Sequence, residues 1–169
     1  HYHPDHTFGA AVFAEGRPVE VVAHARTGAL LDEMLDVVAP TVYPRGMRQF
    51  GTQLPPDKVP NAGIGPRLDY LDGRNRIALL RPTRSFEDTL ELEVAGVRMQ
   101  LRHAPGETDD QILVWLPAQR VLLAADNFYR SFPNLYAIRG TPYRDVRKWV
   151  ASLDAMREAR QAAAENDKF

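Results

Sequence analysis

Six residues at the start of the chain, His1-Tyr2-His3-Pro4-Asp5-His6, constrain its fold more than anything that follows. Three imidazoles and a carboxylate so close together are costly to enclose unless something binds them. In an extended segment, residues two apart point to the same side, so His1 and His3 converge on one point. A turn after His3 then lets Asp5 and His6 aim at a second point nearby. Neutral imidazole nitrogens and carboxylate oxygens suit a borderline divalent cation, zinc first. An affinity tag would be a run of histidines, without the interleaved Pro4 and Asp5 and without the following Thr7-Phe8-Gly9-Ala10. The stretch therefore reads as a metal-ligand motif, and the rest of the chain must fold so that further ligands reach it.

The pattern H-x-H-x-D-H before a small-residue helix start resembles the signature of the metallo-β-lactamase superfamily. The resemblance implies an α/β (α+β) fold, an αββα sandwich with the motif on a loop at the end of a strand. It also implies that His1 and His3 hold one metal while Asp5 and His6 belong to a second. That signature names a superfamily of many hydrolases and no substrate.

A length of 169 residues suits one domain, and 44% hydrophobic with 25% charged residues is ordinary globular composition. With 21 Lys and Arg against 22 Asp and Glu, the net charge of −1 gives no case for nucleic acid or an anionic membrane as partner. There is no apolar run of membrane-spanning length and no recognisable signal peptide. With no cysteine, a disulfide scaffold and Cys-ligated metal are both excluded. The compartment stays open between periplasmic or secreted and cytoplasmic. Because the motif begins at residue 1 with no strand ahead of it, residues 1–169 are expected to be part of one catalytic domain, an incomplete sandwich lacking upstream strands and a downstream segment. Expressed alone, such a piece is expected to be poorly soluble and to hold fewer than two zinc ions. A homodimer, if there is one, would form through parts of the protein outside this chain.

Along the chain, Phe8 to Glu15 reads as a short Ala-rich helix ended by Gly16-Arg17-Pro18, and Val19 to Ala23 as a buried strand closing on His24. Helical spacing recurs from Gly28 to Val38, interrupted by Pro40 and Pro44, with a second helical piece near Met47. The Pro- and Gly-rich stretch from Gln53 to Pro66 reads as a functional loop. Arg76 to Leu80 is a candidate strand. Two hairpins follow: Asp88 to Val94 with Val97 to Arg102 around Ala95-Gly96, and Gln111 to Leu116 with Arg120 to Ala125 around Pro117-Ala118-Gln119. A long helix from about Tyr143 to Glu165 closes the chain, with Pro142 suited to its first turn.

Each hairpin delivers a polar cluster: His103-Ala104-Pro105-Gly106-Glu107, then Asp126-Asn127. One hairpin separates Glu107 from Asp126, which returns both to the same sheet edge, where they can complete a dinuclear site. Either carboxylate alone would read as a turn residue. A Glu in Pro-Gly-Glu, where many superfamily members have His, looks like the alkyl sulfatase branch, zinc-dependent hydrolases of detergent-like sulfate esters. Asn134-Leu135-Tyr136-Ala137-Ile138-Arg139-Gly140, Arg144-Asp145-Val146 and Trp149 are similar to that branch as well, and Asn61-Ala62-Gly63-Ile64-Gly65 looks like its glycine-rich substrate loop. Two departures stand out. The branch usually has Glu at Asp126, and its further metal-ligand histidine would fall past Phe169. Of the remaining histidines, His24 reads as structural and His103 as a neighbour of the ligands.

The resemblance implies two zinc ions per complete domain and a small anionic ester as substrate, with Asp5 and Glu107 orienting the attacking water. Arg139 is the candidate for gripping the sulfate, since a guanidinium fork matches its oxygens; an ion pair with Asp145 is the structural alternative. The Asn61 amide and the backbone N–H groups of Gly63 and Gly65 come next. Phe128, Tyr129, Phe132 and Tyr136 can wall an alkyl channel or be simple core. A lactonase, thioesterase or phosphodiesterase on the same site, or a non-catalytic module of the fold, are the competing readings.

Overall fold

The period-two pattern in the middle of the chain becomes a four-stranded antiparallel meander. The computed structural model describes residues 1–51, 53–59, 77–135 and 142–165. Strand β3 (Thr89–Val94) pairs with β4 (Val97–His103) from Thr89↔Arg102 to Val94↔Val97. Both residues of the connecting turn are left-handed, Ala95 at φ 51° and Gly96 at φ 79°, which matches the twist of the flanking strands. Strand β5 (Ile112–Leu116) pairs back on β4, and β6 (Val121–Leu123) pairs on β5, giving the order β3-β4-β5-β6. Both expected hairpins are present.

Helix α5 (Val146–Glu165) lies against this sheet, with Met156 packed on Ala104 and Leu113 and with Trp149 and Ala155 buried. The helix begins later than the sequence suggested. Asp145 Oδ1 accepts from the backbone N–H of Arg147 and Lys148, at 2.9 and 3.3 Å, and so satisfies two of the donors exposed at the helix start. Pro142 therefore precedes the helix and does not sit in its first turn.

The earlier half of the chain builds a second, smaller sheet. Strand β1 (Val22–His24) pairs parallel with β2 (Arg84–Phe86), in the register Val22↔Arg84 to His24↔Phe86. Parallel neighbours need a crossover, and the helices between them belong to it. Helix α3 (Thr27–Glu33) widens into a π-helical turn (Met34–Val38) and runs on as α4 (Ala39–Gln49). Pro40 and Pro44 do not interrupt it, contrary to expectation. Pro40 falls in the first turn of α4, where its missing N–H costs least, directly after the π turn that loosens the i→i−4 ladder. Leu31 and Met34 pack with Tyr2, flanked by Phe8, Leu30, Leu35 and Leu79.

Other local readings shift. The Ala-rich helix after the motif is cut to α2 (Ala11–Ala14); Val12 and Phe13 face solvent and only Ala14 is buried. The first strand starts at Val22, and Val19 is exposed. Residues 77–80 form no strand: Ala78 instead donates to Phe8 O and accepts from Ala11 N, both at 2.7 Å, bracing the bend before α2. Arg76 and residues 60–66 of the Pro- and Gly-rich loop lie outside the described residues, while Pro56–Lys58 form a single 3₁₀ turn. Strand β2, with no apolar alternation in Arg84-Ser85-Phe86, was not foreseen. Among the described residues, no helix is long and apolar enough to cross a membrane.

Where the two sheets meet, the buried His24 ring stacks on His103 at 3.9 Å with an interplanar angle of 17°, and its Nδ1 accepts from Arg26 N. Burial, then the positive charge His103 can carry, push the His24 pKa below its ordinary value. The unfolded chain therefore takes the proton first as pH falls. Stability from this group is complete above about pH 6.5 and is lost as pH drops through the folded-state pKa. The melting temperature of chelator-treated protein is expected to fall from pH 7 to pH 5, and less steeply in His24→Asn. Identical slopes in the two proteins would assign the acid sensitivity elsewhere.

Candidate metal centre

The alternation of the opening residues is what arms them. Tyr2 turns into the apolar cluster with Leu31 and Met34, while the rings of His1 and His3 lie together, centroids 4.6 Å apart. His3 is extended (φ −56°, ψ 147°), and Pro4 then opens helix α1 (Pro4–Thr7), a position its fixed φ favours. The His3 carbonyl accepts from His6 N and Thr7 N, both at 3.1 Å, and from Thr7 Oγ1 at 2.9 Å. This single turn carries Asp5 and His6 side by side, Asp5 Oδ2 lying 3.5 Å from His6 Nε2.

The carboxylates come from the meander. Strands β4 and β6 both run antiparallel to β5, so their C-terminal ends share one edge. Glu107 follows β4, and Asp126 sits in the 3₁₀ turn Ala125–Asn127 after β6, entered through Ala125 at φ 45°. The two loops are locked together. Asn127 Nδ2 donates to Ala104 O at 2.7 Å, and Trp149 Nε1 donates to Asn127 O at 3.1 Å. The fully buried Gln111 turns its side-chain oxygen to Asn127 N and Asp126 N, at 2.8 and 3.2 Å. Asn127 presses so closely on Gly106 that a Cβ there would meet Asn127 Oδ1 at 1.9 Å.

Two ligand groups result: His1, His3, Glu107 and Asp126, and Asp5, His6 and Asp126, with the donor atoms of each group within 4.8 Å of one another. Asp126 is common to both, as a bridging carboxylate would be. Its Oδ2 lies 3.2 Å from His6 Nε2 and 3.8 Å from His1 Nε2, the latter beyond hydrogen-bond reach. Both ring nitrogens of His1 are buried without a hydrogen-bond partner, a state that a coordinated cation would relieve. The residues present thus fit a metal, and their mixture of imidazole and carboxylate fits zinc.

Burial pushes the His3 pKa down, which keeps that imidazole neutral and able to donate its lone pair. Burial pushes Glu107 up, and the neighbouring Asp126 carboxylate adds to the rise; the Arg144 guanidinium opposes it. Arg144 Nη2 lies 2.7 Å from Glu107 Oε1, both side chains nearly buried, while Nη1 donates to Asn134 O.

All six sequence-derived ligands, His1, His3, Asp5, His6, Glu107 and Asp126, are therefore brought together. Arg139, Asn61, Gly63, Gly65 and Tyr136 lie outside the described residues. His103 Nε2 is bonded to Asp109 O at 2.7 Å, so that bond and its stack on His24 tie it to the sheet–sheet contact. Phe128 and Phe132, which sequence alone left between channel wall and core, are exposed. Arg144 was legible as part of a motif but not as the partner of Glu107, since nothing local links residues on different loops.

Residues 1–164 match the family model described as metallo-beta-lactamase superfamily. The chain is 36% identical over 166 residues to a linear primary-alkylsulfatase of a Pseudomonas species, covering 93% of this chain and 30% of that protein. It is 30% identical over 168 residues to an alkyl/aryl-sulfatase of Saccharomyces cerevisiae, covering 94% of this chain and 25% of that one. The chain thus spans less than a third of the length of the curated relatives it matches. Among solved structures, the stereoselective inverting sec-alkylsulfatase Pisa1 from Pseudomonas sp. superposes with a TM-score of 0.72 at 21% identity, over 96% of this chain and 27% of that one.

Proposed function

We propose, from the premise that this chain belongs to the metallo-beta-lactamase superfamily, that it carries the metal-binding core of a dinuclear zinc hydrolase acting on alkyl sulfate esters. The observation that carries the dinuclear reading is the sharing of Asp126 by two ligand groups. For the substrate class, support comes from the alkylsulfatase names of relatives aligned over nearly the whole of this chain. The reaction is R–O–SO₃⁻ + H₂O → R–OH + HSO₄⁻.

When bound, the metal pair supplies an activated water at neutral pH and positive charge to stabilise the transition state. The chain's residues hold and aim the rest. His1, His3 and Glu107 fix one side of Asp126, and Asp5 and His6 the other. Glu107, from within the ligand group, and Asp5 would hold that water in orientation. Arg139, with the Asn61 amide and the N–H groups of Gly63 and Gly65, is assigned to the sulfate oxygens. The exposed rings of Phe128 and Phe132, directly after the Asp126 turn, suit an alkyl chain.

Turnover of dodecyl sulfate by the zinc-loaded protein, with no turnover of lactones or phosphodiesters, is the expected profile. Lactone hydrolysis without sulfatase activity would overturn the substrate assignment. Protein that takes up no zinc would overturn the metal centre. Arg139→Lys keeps the charge and removes the fork, so kcat/KM on an alkyl sulfate is expected to fall about 10- to 150-fold, the equivalent of about 1.5–3 kcal/mol for a charged hydrogen bond. Unchanged kinetics would return Arg139 to a structural role.

A further inference from the structure

A guanidinium that is almost removed from water has to be held on several sides. Arg144, with its side chain 5% exposed, spans two partners: Glu107 Oε1 through Nη2 at 2.7 Å, and the carbonyl of Asn134 through Nη1. The next residue, Asp145, anchors the start of α5 through its own side chain. Arg144 thus has little freedom, and neither has the carboxylate it touches. With Oε1 occupied by the guanidinium, Glu107 keeps one further oxygen for the group formed with His1, His3 and Asp126. Lysine offers no planar fork with which to span two such partners.

We propose that Arg144 is a positioning residue that fixes Glu107 in its metal-binding orientation. The proposal rests on the metal-centre reading above and extends it to a residue outside the ligand set. Partners of ligands that hold them in orientation typically contribute about 10- to 100-fold to metal affinity. Charge alone acts in the opposite direction, because removing one cation beside a site favours binding of another. The sign of the change therefore separates positioning from simple electrostatics.

The test is a double-mutant cycle on zinc affinity, measured by competition with a chromophoric chelator on metal-free protein whose folding is checked by circular dichroism. Arg144→Met is expected to weaken zinc binding about 10- to 100-fold in the wild-type background. In the Glu107→Ala background it is expected to change affinity less than threefold, because the group it positions is gone. Arg144→Lys, which retains the charge, is expected to weaken binding in the same direction, less strongly, and replaces the Met variant in the cycle should that one not fold. Additive losses, or tighter binding in Arg144→Met, would overturn the positioning role. Glu107→Ala without effect on zinc would remove the metal-centre reading itself, whereas an effective Glu107→Ala beside a neutral Arg144→Met removes only this proposal.

Discussion

On the dinuclear reading proposed above, Asp126→Ala is expected to empty the whole centre, taking zinc from two ions per complete domain towards none and turnover down by about three orders of magnitude. Among the described residues Asp126 is the one found in both ligand groups, and its Oδ2 lies 3.2 Å from His6 Nε2 and 3.8 Å from His1 Nε2. Removing any other ligand leaves one group intact, so Glu107→Ala or His6→Ala should each retain close to one ion. The rate estimate follows from the several kcal/mol of charge stabilisation that metal ions contribute, each 1.36 kcal/mol being about tenfold. Atomic-absorption analysis of dialysed protein reads the stoichiometry directly. Asp126→Ala protein that keeps one tightly held ion would show that the carboxylate does not bridge. Asp126→Glu restores the longer carboxylate usual in the alkyl sulfatase branch and is expected to keep both ions.

Among the described glycines, Gly106 is the one whose replacement by alanine should be most damaging. Its Cβ would stand 1.9 Å from Asn127 Oδ1, and Asn127 has little room to move: it is buried, its side-chain Nδ2 is committed to Ala104 O, and its backbone is held by Trp149 Nε1 and Gln111. Overpacking costs about 1–3 kcal/mol and a broken buried hydrogen bond about as much again, so the loss is about 2–6 kcal/mol. For a domain of this size that lowers the melting temperature by roughly 4–24 °C. Since Gly106 precedes Glu107 and Asn127 follows Asp126, zinc affinity should fall with it. Gly106→Ala combined with Asn127→Gly makes room for the methyl and should recover part of the melting temperature. A single variant melting like the parent would mean the loops yield more readily than their hydrogen bonds imply.

The clustering of the candidate ligands was legible because its logic is local. His-x-His alternation and the turn at Pro4 act within a few residues, and one hairpin is the shortest route by which two carboxylates reach a common edge. The hairpins were legible for the same reason, from apolar alternation around Ala95-Gly96 and Pro117-Ala118-Gln119. What was missed depends on partners distant in sequence. Strand β2 exists because β1 offers it backbone partners, and Ala78 is claimed by Phe8 and Ala11 in place of a sheet. Pro40 looks like a helix breaker in the sequence because the π turn ahead of it leaves no sequence signature. The pairing of Arg144 with Glu107 joins two loops that only the folded chain brings together.

The two apolar clusters, one around Tyr2, Leu31 and Met34 and the other around Ala104, Leu113 and Met156, are joined by polar contacts. Thr27 donates to the buried Asp110, Arg26 pairs with Asp109 at 3.1 Å, His24 lies on His103, and His6 reaches Asp126. A seam of this kind responds to solutes rather than to temperature-driven changes in apolar hydration. The Arg26–Asp109 pair is half exposed and is screened at high ionic strength, whereas candidate ligands drawn from both halves would make a bound metal act as a clasp. At a free metal concentration of 1,000 times Kd, such a clasp contributes about 4 kcal/mol. Salt and chelator should therefore act synergistically, each tolerated alone and the pair together opening the seam to proteases while both halves keep their own cores.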